Sequence, residues 1–134
     1  MFVEKRRDGE VLSGGTVVGN PRGRAAIVLD DLCSSGTTLI KAATALRAAG
    51  AVSVHATVTH TPLEEGLAAL AAAVDIAQVV VTDSVGHAPS PVSLGKRGKV
   101  KILPIGELLG CAMARMMTGA PLAPLAEHWP PPLP

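Results

Sequence analysis

From residue 25 onward, short apolar runs alternate with helical segments, and that alternation limits the folds open to this chain more than any other feature. The run "AAIVL" at residues 25–29 is short, apolar and bounded by charged and glycine-containing turns, the pattern of a strand buried on both faces. Residues 37–49 predict a helix, with Leu39, Ile40, Ala43 and Leu46 on one stripe and Gly50 placed to end it. "VSVHATVTH" alternates like a strand and is rich in β-branched residues. "EEGLAALAAAVD" predicts a second helix, "QVVVT" and "KVKILPI" two further strands, and "GELLGCAMARMMTG" a last helix ending at Gly119. Elements in this order form right-handed βαβ units. The expectation is therefore an α/β fold, three αβα layers around a mainly parallel sheet covered on both faces. Ligands of such sheets bind just outside the carboxyl ends of the strands.

The 134 residues suit one domain, enough to bury about two-thirds of the unfolded surface. With 48% hydrophobic and 17% charged residues the chain is globular, and with 1% aromatics its core must be built from Ala, Val, Leu and Ile. A net charge of +1 without stacking aromatics gives no nucleic-acid signature. No apolar run approaches the ~18 residues of a membrane span, and "MFVEKRRDGE" contains no signal-peptide core. The expected location is cytoplasmic, with neither membrane nor nucleic acid as partner. Cys33 and Cys111 fit no disulfide or zinc pattern, and His55 and His60 lie five apart, on opposite faces of one strand. "SVGHAPSPVSLGKRG" reads as a mobile connection. "APLAPLAEHWPPPLP" reads as an extended, polyproline-like tail that Trp129 helps to order.

The first buried strand runs into Asp30 and Asp31, then into Ser34, Ser35, Gly36, Thr37 and Thr38 at the turn into the helix. A helix N-terminus presents unpaired N–H groups and a partial positive charge, which together form an anion site. Small hydroxyls add donors, and a glycine lets the backbone curl around a phosphate. A β-branched side chain at Gly36 is expected to fill that cradle and abolish it. Two carboxylates beside it suit a ligand that also carries hydroxyls, or a divalent cation, and a sugar phosphate with Mg²⁺ meets both conditions. Successive strand residues face opposite ways, which allows one carboxylate to meet the sugar while the other fixes the loop or the metal. The same residues also read as a strand end followed by an ordinary Ser or Thr N-cap, and the residues leave both readings open. Neither a Walker A loop nor a G-x-G-x-x-G fingerprint occurs in the chain.

The stretch "AAIVLDDLCSSGTTLIKAATALRAAGA" resembles the phosphoribosyl pyrophosphate signature of type I phosphoribosyltransferases and of ribose-phosphate pyrophosphokinases. The flanks favour the second family. "EKRR" followed by "VVGNPRGRAAIVLDD" is similar to the pyrophosphokinase stretch that joins the catalytic flexible loop to the ribose-phosphate loop. "VSVHATVTH", "VVVTDS" and "KVKILPIGELLGCAMARMMTG" resemble the C-terminal half of that family in order and spacing, so the likeness runs over roughly residues 3–120. It implies that Ser34, Ser35, Gly36, Thr37 and Thr38 bind the 5-phosphate of ribose 5-phosphate. It also implies that Asp30 and Asp31 contact the ribose hydroxyls or an associated Mg²⁺. Lys5 and Arg7 become the catalytic loop cations that stabilise charge on the transferring diphosphoryl group; without the resemblance they read as a solvated charge cluster.

The resemblance further implies a phosphoribosyltransferase-like domain at residues 1–120 with a Pro-rich tail at 121–134. ATP is then the second substrate of the intact enzyme, phosphoribosyl pyrophosphate the product and a homo-oligomer the assembly. Three departures qualify this. The N-terminal half that helps to build the family's ATP site has no counterpart here, nor does the pyrophosphate loop, and Ser34 stands where the family often has an acidic residue. The expectation is a fold incomplete on its N-terminal side. It is the ribose 5-phosphate-binding half of a ribose-phosphate diphosphokinase, inactive as an isolated chain. The alternatives are a phosphoribosyltransferase and a catalytically silent phosphoribosyl-binding or assembly module.

Overall fold

The computed structural model describes residues 19–85 and 98–127 in full, and before them the backbone of four short strands. These are β1 (Phe2–Glu4), β2 (Arg7–Asp8), β3 (Val11–Leu12) and β4 (Thr16–Val18). Lys5, residues 86–97 of the expected mobile connection, and the tail from residue 128 with Trp129 lie outside the described residues. β1 pairs antiparallel with β4 and β2 with β3, so Arg7 sits on a strand opposite Leu12. The chain divides into two compact units, residues 1–103 and 104–134.

The first unit holds a four-stranded, wholly parallel sheet of β5 (Ala25–Leu32), β6 (Ser53–His60), β7 (Gln78–Thr82) and β8 (Val100–Leu103), in that spatial order. The helices α1 (Thr37–Ala48) and α2 (Glu64–Ala72) make the first two crossovers. Both crossovers step one strand in the same direction, and right-handed crossovers that do so place their helices on the same face. That face is the core. Ala26, Val54, Ala56, Val58, Val79, Val81 and Val100 point into it from the strands. Leu39, Ala43 and Leu46 of α1 and Leu67 and Leu70 of α2 meet them. On the opposite face the rows are mixed in polarity: Ile27, His55 and Gln78 form one, and Leu29, Thr57, Val80 and Lys101 the next. Ile27 and Leu29 are exposed there.

Helix ends follow from local chemistry. α1 stops at a glycine with φ 94°, where Ala51 N–H donates to Leu46 O and Gly50 N–H to Arg47 O, the paired bonds of a Schellman turn. α2 stops at Ala72, three residues short of the expected end at Asp75. Ala73 is extended there, and its carbonyl accepts from the Lys99 ammonium. The Thr44 hydroxyl donates to Asp75 Oδ2 at 2.6 Å, and Ile76 returns to the core.

The second unit holds α3 (Gly106–Thr118) and a short α4 (Ala123–Glu127). Arg115 is buried and donates to Pro121 O at 3.1 Å, which ties the turn between them. The expected extended tail is thus corrected over residues 123–127. Pro124 falls in the first turn of α4, where its missing N–H costs no helical bond.

Leu46 has 1% of its surface exposed and sits between α1 and the sheet. Replacing it with Ala should lower unfolding free energy by about 2–5 kcal/mol, read from urea denaturation at fixed pH. Cys33 also belongs to this core. Burial pushes its thiol above the ordinary range; the Gly36 N–H bonded to it pulls the other way, and the Asp30 carboxylate raises it further. The fold therefore favours the neutral thiol. This contribution is complete below the unfolded thiol value of ~8.5 and is lost as pH rises through the higher folded value. Urea midpoints measured from pH 7 to 10 should fall less steeply for Cys33→Ala than for the wild-type chain.

Candidate functional site

β5 continues three residues past its apolar run, so Asp30, Asp31 and Leu32 are still strand. The pleat separates the two carboxylates. Asp30 shares the helix-covered face with Ala26 and Val28, paired to Val58, and is half-buried. Asp31 points to the other face and is exposed. The Asp31 N–H donates to Asp30 Oδ1 at 3.1 Å, which orients the half-buried carboxylate.

The ladder does not stop at the end of β5. Cys33 N–H donates to His60 O at 2.9 Å, so the turn into α1 starts from a point fixed to β6. Gly36 then takes the N-cap position with φ 76°, and no side chain caps the helix there. Ile40 N–H closes the first helical bond onto Gly36 O at 3.0 Å. Ser35 Oγ and Thr37 Oγ1 are hydrogen-bonded at 3.0 Å, and Ser35 Oγ is 3.4 Å from Thr37 N. The N–H groups of Thr38 and Leu39 belong to the first turn, which supplies no intrahelical acceptor.

Asp30, Leu32 and residues 33–39 line an open hollow of about 410 Å³, counting the solvent at its mouth. The expected phosphate-loop residues Ser34, Ser35, Gly36, Thr37 and Thr38 all lie on it, together with Asp30; Asp31 does not. Chemically the hollow offers hydroxyl and amide donors for an anion on one side and a carboxylate acceptor on the other. Among the described residues no three His, Cys, Asp or Glu side chains converge as a metal cage. Asp30 fits a cation whose remaining ligands are oxygens of the substrate and water, the usual habit of Mg²⁺. Lys5 and the Arg7 side chain lie outside the described residues.

Gly36 acts differently from its expected role. A Cβ there would meet Gly66 O at 3.1 Å and Leu70 Cγ at 3.3 Å, so it would enter the core rather than the cradle. Together with the left-handed φ this makes Gly36 a backbone requirement. The partner in that contact stands outside every sequence motif. Gly66 lies within the helical run of α2, and a Cβ on it would fall 2.1 Å from Ser34 O. An isolated glycine inside a helical pattern costs roughly 1 kcal/mol relative to Ala and was the available signal. The His60 ring is also held at this edge: Nδ1 lies 2.7 Å from Ser84 Oγ, and the Ser84 and Thr82 hydroxyls both donate to Thr59 O.

Comparison with known proteins bears on the same elements. The chain is 38% identical over 118 residues to a ribose-phosphate pyrophosphokinase of Bradyrhizobium diazoefficiens, covering 85% of this chain and 35% of that protein. It is 39% identical over 119 residues to one of Hyphomonas neptunium, covering 86% and 36%. The chain thus spans a little over a third of the length of these relatives. Its fold is that of the phosphoribosylpyrophosphate synthetase crystal structure from Mycobacterium smegmatis, with a TM-score of 0.64 and 24% identity over 79% of this chain and 34% of the other. The family described as the phosphoribosyl synthetase-associated domain matches residues 12–126, a span that takes in every element from β5 through α3, and this chain belongs to it.

Proposed function

We propose that this chain is the ribose 5-phosphate-binding part of a ribose-phosphate diphosphokinase, the enzyme that transfers diphosphate from ATP to ribose 5-phosphate. One observation carries the reading. A glycine-started helix with no side-chain cap opens into the same hollow as a half-buried carboxylate, so anion donors and a hydroxyl acceptor share one open hollow. Ser34, Ser35, Gly36, Thr37 and Thr38 take the 5-phosphate. Asp30 accepts from ribose hydroxyls or holds Mg²⁺ jointly with the substrate, and Asp31 acts from the other face on the loop or the metal. Bound Mg²⁺ supplies charge neutralisation for the polyphosphate. Lys5 and Arg7 are proposed to stabilise the transferring diphosphoryl group. The transfer itself is proposed for this part acting with the remainder of a cytoplasmic homo-oligomeric enzyme, and the isolated chain is expected to bind without turning over.

A second reading is a phosphoribosyl-binding assembly module without activity. The matched family's description as an associated domain favours it. Formation of phosphoribosyl pyrophosphate from ATP, Mg²⁺ and ribose 5-phosphate, abolished by Asp30→Asn when the remainder of the enzyme is supplied, supports the enzyme. Binding that stays silent under the same conditions supports the module.

Calorimetric titration of the chain with ribose 5-phosphate and Mg²⁺ should show binding. Asp30→Asn should weaken it by about 1.5–3 kcal/mol, the range of a hydrogen bond to a charged group. Asp31→Asn should cost less, because that carboxylate lies off the hollow. Equal affinity of the wild type and Asp30→Asn would remove Asp30 from the site. A separate variant tests the loop: Gly36→Ala should lose phosphate binding and also melt at a lower temperature, since its added carbon enters the core.

A further inference from the structure

We propose that Gly66 of α2 is a positioning residue for the phosphate loop: its missing side chain lets the helix sit directly against the loop backbone and so sets where the loop's donors point. This rests on reading residues 34–38 as the ribose 5-phosphate site. The contact is between main chains. A Cβ on Gly66 would lie 2.1 Å from Ser34 O, 2.8 Å from Ser34 C and 3.3 Å from Cys33 O. Carbon and oxygen do not approach so closely, and neither backbone can rotate away as a side chain could. Clearance to van der Waals distance needs a shift of about 1 Å or more.

The surroundings decide which way that shift goes. Cys33 is pinned on one side, its N–H on His60 O and its side chain in the core. Gly36 is pinned on the other, where its own Cβ position is closed by Gly66 O and Leu70. α2 is anchored beneath by Leu67 and Leu70, both buried, and follows β6 after only residues 61–63, of which Thr61 is buried too. Ser34 and Ser35 are exposed and face the hollow. The free direction for a displaced loop is therefore into the ligand's space. A misplacement of about 1 Å in a positioning element can cost on the order of a hundredfold.

The test compares Gly66→Ala with Gly110→Ala in the full chain. Gly110 also lies within a helix, α3, and an added Cβ there meets nothing within 4 Å. In calorimetry below the melting temperature, Gly66→Ala should bind ribose 5-phosphate at least tenfold more weakly, while Gly110→Ala binds as the wild type does. Amide resonances of Ser34, Ser35 and Gly36 should move in ligand-free Gly66→Ala. Unchanged affinity with unmoved loop amides would overturn the proposal. A wild-type chain that binds no ribose 5-phosphate defeats the functional reading instead, and the loop amides alone then decide the role of Gly66. If Gly66→Ala does not fold, hydrogen exchange of the wild type decides: ribose 5-phosphate should slow exchange in residues 64–67 as well as in the loop. Slowing confined to the loop would count against Gly66.

Discussion

The parallel pairing of β5 with β6 is the constraint on which the rest of this structure depends. Its register, Ala26 opposite Val54 and Asp30 opposite Val58, puts alternate residues of both strands into one apolar layer. A slip of one residue would turn that layer to solvent and exchange the faces of Asp30 and Asp31. The ladder then carries the order one step further, through Cys33 N–H to His60 O, so the turn that follows does not begin as a free loop. The place of the carboxylate and the origin of the turn into α1 are therefore fixed by the same hydrogen bonds.

The near absence of aromatics shapes what is built on that ladder. Ala26, Ala43 and Ala56 are buried where larger side chains commonly sit, and small residues allow helices to lie close to a sheet. Close layers bring α2 under the α1 turn, and at that point the separation leaves no room even for a methyl group. The two glycines at the contact have different reasons. Gly36 needs a left-handed backbone and Gly66 needs the absence of volume.

Most of the first unit was legible in the sequence because its elements announce themselves by period. "QVVVT" is a strand to the residue, and the helix from Thr37 ends one residue before the expected Ala49. The likeness to pyrophosphokinases found in "AAIVLDDLCSSGTTLIKAATAL" agrees with the comparisons. The strands before residue 20 were not legible: two or three residues paired antiparallel carry no apolar period, and the charges of "EKRR" dominate the local pattern. Gly66 was hidden for another reason. Its importance depends on a carbonyl 32 residues earlier in the chain, and no local pattern encodes that distance. Gly36 was expected to keep the cradle clear, whereas a Cβ there would project into the core, because sequence cannot say on which side of a turn a Cβ lies.

The division of Asp30 from Asp31 has an electrostatic consequence for the proposed ligand. At an illustrative separation of about 8 Å, a carboxylate repels a phosphate by roughly 2 kcal/mol per unit charge at an effective dielectric of 20. With both carboxylates on the hollow, that cost would be about doubled. With one, at about 3–4 kcal/mol for a phosphomonoester of roughly −1.5 to −2 charge, it is largely offset by the roughly 1.5–3 kcal/mol that a hydrogen bond from a ribose hydroxyl to a carboxylate returns. A shared cation would remove it altogether. On this reading free phosphate gains the donors of the loop but suffers the repulsion, whereas a phosphorylated sugar turns the same carboxylate into an acceptor. If residues 34–38 hold the phosphate as proposed, the pleat of one strand favours a phosphate that carries a sugar over a phosphate alone.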